Sequence, residues 1–160
     1  PQFIAARVDE YLAEHADLYD EIFVAYGDCG TAGELDRVLT KYQAERMPGA
    51  HCYEFYAGTA EFQSLLDAEL GTFFLTDYLV RNFQRLIIEG LGIDRYPELF
   101  DDYFKHYRKM VYLAQTDNAE LQVLARQYAD DFAWEYEYRW VGVGGMSPVV
   151  QSKFAIEVVA

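Results

Sequence analysis

The chain has 160 residues, of which 52% are hydrophobic and 17% aromatic, and a formal net charge of −14. That length and apolar share suffice for one compact domain with its own core and exclude a disordered chain. The acidic balance argues against nucleic acid, whose phosphates require Lys and Arg, and against an anionic membrane surface, and no run of about 18 apolar residues offers a transmembrane helix.

No basic-then-apolar start marks a signal peptide, and two cysteines do not make a disulfide scaffold. A reducing cytoplasm is therefore the expected compartment. Pro1 suits the first turn of a helix, where its missing N–H costs nothing. Ile4, Val8 and Leu12 then form one buried face to about His15. A helical stripe this close to the first residue suggests a further element ahead of Pro1.

Residues 20–26 read as a strand. The run from Ile22 to Gly33 is the stretch around which the rest is organised: it is apolar, stops at glycine and then turns helical. The helix covers about 32–42 and buries Leu35, Val38 and Leu39. A second short strand passes through Arg46 and Met47 towards Ala50, His51 and Cys52, with Pro48-Gly49 breaking regular structure before it. Gly58-Thr59 opens another helix, with Thr59 as its cap and Phe62, Leu65 and Leu66 as its face. Gly71 stops that helix. Thr72 to Thr76 is a run of β-formers.

Residues 78–90 are expected to be helical, ending at Gly90 and Gly92, and so are 96–109, with Pro97 at the start. Residues 110–114 read as a buried strand. Thr116 or Asp117 caps the next helix, whose face is Leu121, Leu124, Ala125 and Tyr128. Residues 134–141 alternate with period two, placing Trp134, Tyr136, Tyr138 and Trp140 on one side of an exposed-edge or half-covered strand. Glycines 142, 144 and 145 make a loose exit, and the tail from Ser147 to Ala160 pairs or packs in a way the pattern leaves open. Strands alternating with helices define a single α/β domain over 1–160, a Rossmann-like three-layer sandwich on a mainly parallel sheet.

In such a sheet ligands gather at the carboxyl ends of the strands. The first exit carries Asp28, Cys29 and Thr31 among Gly27, Gly30 and Gly33. The second carries His51, Cys52 and Glu54, the third Thr76 and Asp77, and the fourth Gln115, Thr116 and Asp117. Cys29 lies just before a helix, where a thiolate is favoured as metal ligand, nucleophile or redox centre, or else it is a small buried apolar residue. The glycine spacing is neither the dinucleotide fingerprint nor a P-loop, though such a turn can offer N–H groups to an anion. Cys29, His51 and Cys52 would give two sulfurs and one nitrogen to zinc or iron, provided the backbone at His51-Cys52 is irregular. A disulfide between Cys29 and Cys52, or no bond, are the alternatives. Tyr26, Tyr53, Phe55 and Tyr56 could wall a pocket for a flat ligand. The Trp-Tyr ladder after Trp134 could serve as a contact between copies, making the chain a homo-oligomer.

Four segments carry a family resemblance: Val24 to Gly33, 48–55, 71–77 and 111–117. With them, about residues 1 to 145 resemble the domain-of-unknown-function family numbered 1638. The resemblance implies a setting among corrinoid-dependent methyltransferase systems, with a small molecule or a corrinoid protein as partner and a corrinoid as a further cofactor. It also implies a strand ahead of Pro1 that often carries another cysteine. The family's cysteine and His-Cys motifs fall on Cys29, His51 and Cys52. No activity follows from it.

Overall fold

The computed structural model describes residues 3–49 and 51–142. The expectations for Pro1, Ala50, glycines 144 and 145 and the tail lie outside them. Strands β1 (Phe23–Val24) and β2 (Glu45–Arg46) form one parallel pair. Strands β3 (Thr72–Thr76), β4 (Lys109–Ala114) and β5 (Glu135–Trp140) form a second, fully parallel sheet in the order β3-β4-β5. The protein is thus α/β with parallel strands, as the alternation of periods requires.

β4 is buried along Met110–Ala114, which explains its continuous apolar run. Its two faces serve two cores. Met110, Tyr112 and Ala114 meet Leu75, Val80, Phe83, Leu121, Ala125 and Trp134. This core is covered by α5 (Asp77–Arg81), α6 (Leu99–Phe104) and α7 (Ala119–Asp131). Val111 and Leu113 face the other way, against Phe62 and Leu65 of α4 (Thr59–Ala68), with Tyr53 and Ala57 of α3 (Cys52–Ala57) beside them. A third, smaller core joins α1 (Ile4–His15) and α2 (Glu34–Lys41) through Leu12, Leu35 and Leu39, with Ile22 and Val24 against it. Much of the aromatic content is packing: Phe73, Phe83, Phe100, Phe104, Tyr107, Phe132 and Trp134 stack and tilt against one another in the first core.

Several boundaries differ from the sequence reading, each for a local reason. The first strand shrinks from residues 20–26 to Phe23–Val24, because Tyr26 N–H folds back onto its own Val24 carbonyl at 2.7 Å. The second ends where Pro48 has no N–H to continue the ladder. Cys52 begins helix α3 rather than ending a strand. The helix expected over 78–90 divides into α5 and a π-helical turn, Gln84–Glu89, after Asn82 turns its amide onto the Tyr78 carbonyl. The helix expected over 96–109 narrows to Leu99–Phe104, and the Arg108 guanidinium caps the carbonyls of Lys105 and Tyr107 beyond it. α4 starts on Thr59 without a side-chain cap, and α7 is capped by Asn118, whose Oδ1 accepts from Leu121 N–H at 3.0 Å, not by Thr116 or Asp117.

Candidate functional site

β1 and β2 run parallel, so their exits reach the same edge. Cys29 lies beyond β1 and Cys52 beyond β2, and the two meet there. Cys52 N–H donates to Cys29 Sγ at 2.8 Å. Both cysteines are free thiols and partly buried.

Three features create this approach. Gly27 packs against α3 so closely that a Cβ there would stand 2.5 Å from the Phe55 ring. Asp28 folds the loop back: its carboxylate accepts from the Thr31 hydroxyl and from Gly33 N–H at 3.1 Å. Those two bonds, the Thr31 hydroxyl first, hold the Asp28 carboxyl below the ordinary range. Arg46 forms the third. It clasps Asp36 of α2 through two nitrogens at 2.5 and 2.9 Å and donates to the carbonyls of Met47 and Gly49 at 2.8 and 3.1 Å. The turn that delivers Cys52 is thus fastened to α2 by a bidentate ion pair.

Burial pushes the Cys52 thiol up to about 12, with its hydrogen bond to Cys29 and the charge of that sulfur adding to the effect. Tyr26, Tyr53 and Tyr56 lie within electrostatic reach. Burial first, and then negative charge on the cysteines, pushes each phenol up. The sulfurs therefore sit among phenols that keep their protons. A consequence is testable in the reduced protein. At pH 8 iodoacetamide should modify Cys52 on the order of a hundredfold more slowly than an ordinary thiol, since the scarcity of thiolate outweighs its higher intrinsic reactivity. Timed quenching and peptide mass spectrometry measure this.

His51 packs its ring against an aromatic neighbour. It is exposed, precedes α3 in extended conformation and presents its ring edge to Phe62, centroids 5.9 Å apart. Among the described residues no three of His, Cys, Asp and Glu gather closely enough to hold a metal ion. Gly30 and Gly33 adopt positive φ of 78° and 80°, which serves the turn into α2. Glu54 lies two residues along α3 from Cys52, with its carboxylate against Gly49, and lines a cleft of about 380 Å³ with Met47, Pro48 and Phe55.

The exits of β3 and β4 form a second cluster. Asp77 is 8% exposed, and hydrogen-bond donors rather than a cation surround its carboxylate. Oδ1 accepts from the Tyr112 hydroxyl at 2.8 Å and Gln115 N–H at 2.9 Å, and Oδ2 from Thr116 N–H at 3.0 Å and the Thr116 hydroxyl. Gln115 returns the bond, its Oε1 accepting from Asp77 N–H at 2.8 Å. Thr76 caps α5 through Leu79 N–H. These groups are occupied with one another, and their geometry is that of a weld between two strands. Tyr56 stands between the clusters, influenced by Cys52, Asp77 and Cys29. It also lines a cleft of about 500 Å³ with Glu61, Tyr138, Arg139 and Trp140.

Sequence reading singled out the cysteines as candidates and did not single out Arg46 or Tyr112. A phenol inside the apolar run of β4 was a visible signal that a buried acceptor faces it. Nothing in the spacing pointed to Arg46.

Gly27→Ala tests the packing. The added methyl should push the Phe55 ring, lower stability by about 1–2 kcal/mol and loosen the approach of α3 to Cys29. Thermal unfolding reads the first effect, and iodoacetamide modification of Cys52, faster than in the parent, reads the second.

Parallel strands with helices on both sheet faces define an α/β domain, in which the Cys52 N–H meets the Cys29 sulfur at the carboxyl edge of the β1–β2 pair. The chain belongs to the family described as protein of unknown function (DUF1638), whose sequence model matches residues 1–149. Neither a curated protein nor a solved structure matches the chain. Among the described residues no helix is long and apolar enough to cross a membrane.

Proposed function

We propose that Cys29 and Cys52 are the working groups of the domain and bind a thiophilic cation, zinc before iron, at the carboxyl edge of the β1–β2 pair. The observation that carries this reading is the 2.8 Å bond from Cys52 N–H to Cys29 Sγ, which sets the Cys29 sulfur against the backbone of a cysteine 23 residues away, with the Cys52 thiol itself in hydrogen-bonding reach of Cys29. Two protein sulfurs leave further positions of a tetrahedral ion open to substrate or to other donors. A cation would release the thiol protons, including the one burial holds on Cys52. The net charge of −14 draws cations to the surface. A metal-bound thiolate would suit methyl transfer in the corrinoid-linked one-carbon setting that the family resemblance implies. Free thiols accord with a reducing cytoplasm.

Cobalt(II) titration of the reduced protein under argon tests this. A thiolate-to-cobalt absorption band at one equivalent, abolished by Cys29→Ser and by Cys52→Ser, is expected. Absence of the band in the parent overturns the reading.

The same contact favours a second reading, a reversible disulfide. The two thiols would give up two protons and two electrons to a disulfide substrate, whose halves leave as thiols. Thiol counting before and after exposure to oxidised glutathione separates the readings. Loss of both thiols without cobalt binding favours the redox pair.

A further inference from the structure

β5 is an edge strand: among the described residues its partner is β4 alone. Glu135 N–H bonds the Arg108 carbonyl at 2.9 Å and Val141 N–H the Ala114 carbonyl at 3.0 Å. Odd-numbered residues of β5 therefore spend their backbone groups on β4. Residues 136, 138 and 140 aim theirs outward.

We propose that this edge pairs with the β5 edge of a second copy of the chain, antiparallel about a two-fold axis through Tyr138. Three features agree on that register. Tyr138 then faces Tyr138, and Tyr136 faces Trp140, as hydrogen-bonded pairs, and these positions carry the outward groups. Glu137 of each copy faces Arg139 of the other in the intervening closer pairs, where opposite charges attract. The aromatic residues share one side of the strand, so the ladder continues across the axis. A slip by one residue would put backbone groups already spent on β4 against the partner and lose all three matches.

The strand is prepared for this. The Arg126 guanidinium covers the Tyr136 ring at 4.6 Å, and Tyr138 meets Tyr112 edge-on at 5.8 Å, so both rings are fixed in place. Trp140 is left 57% exposed at the end. Lys109 and Arg139 both pair with Glu137 within one chain, which keeps these charges in position along the strand. Alternating charges ordinarily protect an edge from strangers. Here their order is self-complementary, as an interface built from one patch on both copies must be.

Sedimentation equilibrium of the full chain tests the proposal. The parent should have twice the chain mass at tens of micromolar. Arg139→Glu sets Glu137 of each copy against the newly introduced carboxylate of the other, twice across the axis, and should weaken association at least about tenfold. Glu137→Arg should do the same by opposing two arginines. An equimolar mixture of the two variants should dimerise again, because each acidic strand then faces a basic one. Tyr138→Pro removes the central outward N–H and should give monomer. Circular dichroism verifies that each variant is folded, and should the proline variant unfold, the charge pair and its mixture decide alone. A monomeric parent, a dimer indifferent to Arg139→Glu, or a mixture no better than its components overturns the proposal.

Discussion

Asp77→Ala is expected to destabilise the protein by about 3–5 kcal/mol, a large part of the stability of a domain this size. Four donors lose their acceptor together: the Tyr112 and Thr116 hydroxyls and the N–H groups of Gln115 and Thr116. The carboxylate is buried, so water does not readily replace it. Asp77→Asn should cost less, about 2 kcal/mol. Its oxygen can still serve Tyr112 and Gln115, but its amide nitrogen opposes the Thr116 donors. Chemical denaturation at pH 7 distinguishes the two.

Acid provides a second readout. Burial pushes the Asp77 carboxyl up, but the bonds from Thr116, Gln115 and Tyr112 outweigh it and leave the folded value below 3.8. A carboxyl depressed by folding stabilises the folded state above its unfolded value, and that contribution disappears as pH falls through the folded value. Asp28, Asp36 and Glu137 are depressed in the same way. Stability should therefore be steady above about pH 5 and fall steeply below about pH 4. In Asp77→Asn that fall should be shallower.

Gly71→Ala should cost about 3 kcal/mol. A Cβ at this position would stand 2.3 Å from the His106 carbonyl oxygen and 3.4 Å from Arg108 N. Neither atom can retreat, because Arg108 N–H and Lys109 N–H both bond the Gly71 carbonyl, at 2.8 and 3.2 Å, where β4 starts beside β3. The contrast with Gly27→Ala is instructive: there the obstacle is the far end of a ring, which can yield. A Gly71→Ala protein as stable as the parent in urea would contradict the account.

The strands of the central sheet were the most legible elements. Thr72–Thr76 is bounded by Gly71 and made of β-formers, and β4 is apolar on both faces, so period and composition agree. The edge strand was legible from its alternation. What could not be read was decided by atoms remote in sequence or by single hydrogen bonds. A π turn follows Asn82 because of one amide, and a helix begins at Cys52 where the preceding turn is held by Arg46 and α2. At the site, the sequence identified which exits carry sulfur, and the parallel pairing of β1 with β2 brings those exits together. It did not distinguish a carboxylate that folds its own loop from one that fastens two strands, since Asp28 and Asp77 look alike until their donors are known. His51 was grouped with the sulfurs by adjacency, and its contact with the Phe62 ring was not readable from the spacing.

The two sheets are unequal in length. β1 and β2 pair over two residues each, whereas β3, β4 and β5 are locked over five and six. Cohesion thus comes in two tiers, and the thiols belong to the looser one. That outer tier can breathe while the inner sheet stays shut, so exchange of the Cys52 amide with deuterium should be far faster than exchange along β4. Whatever bridges the two sulfurs would act as a clasp on the outer tier, slowing its motion and leaving the inner sheet as it was.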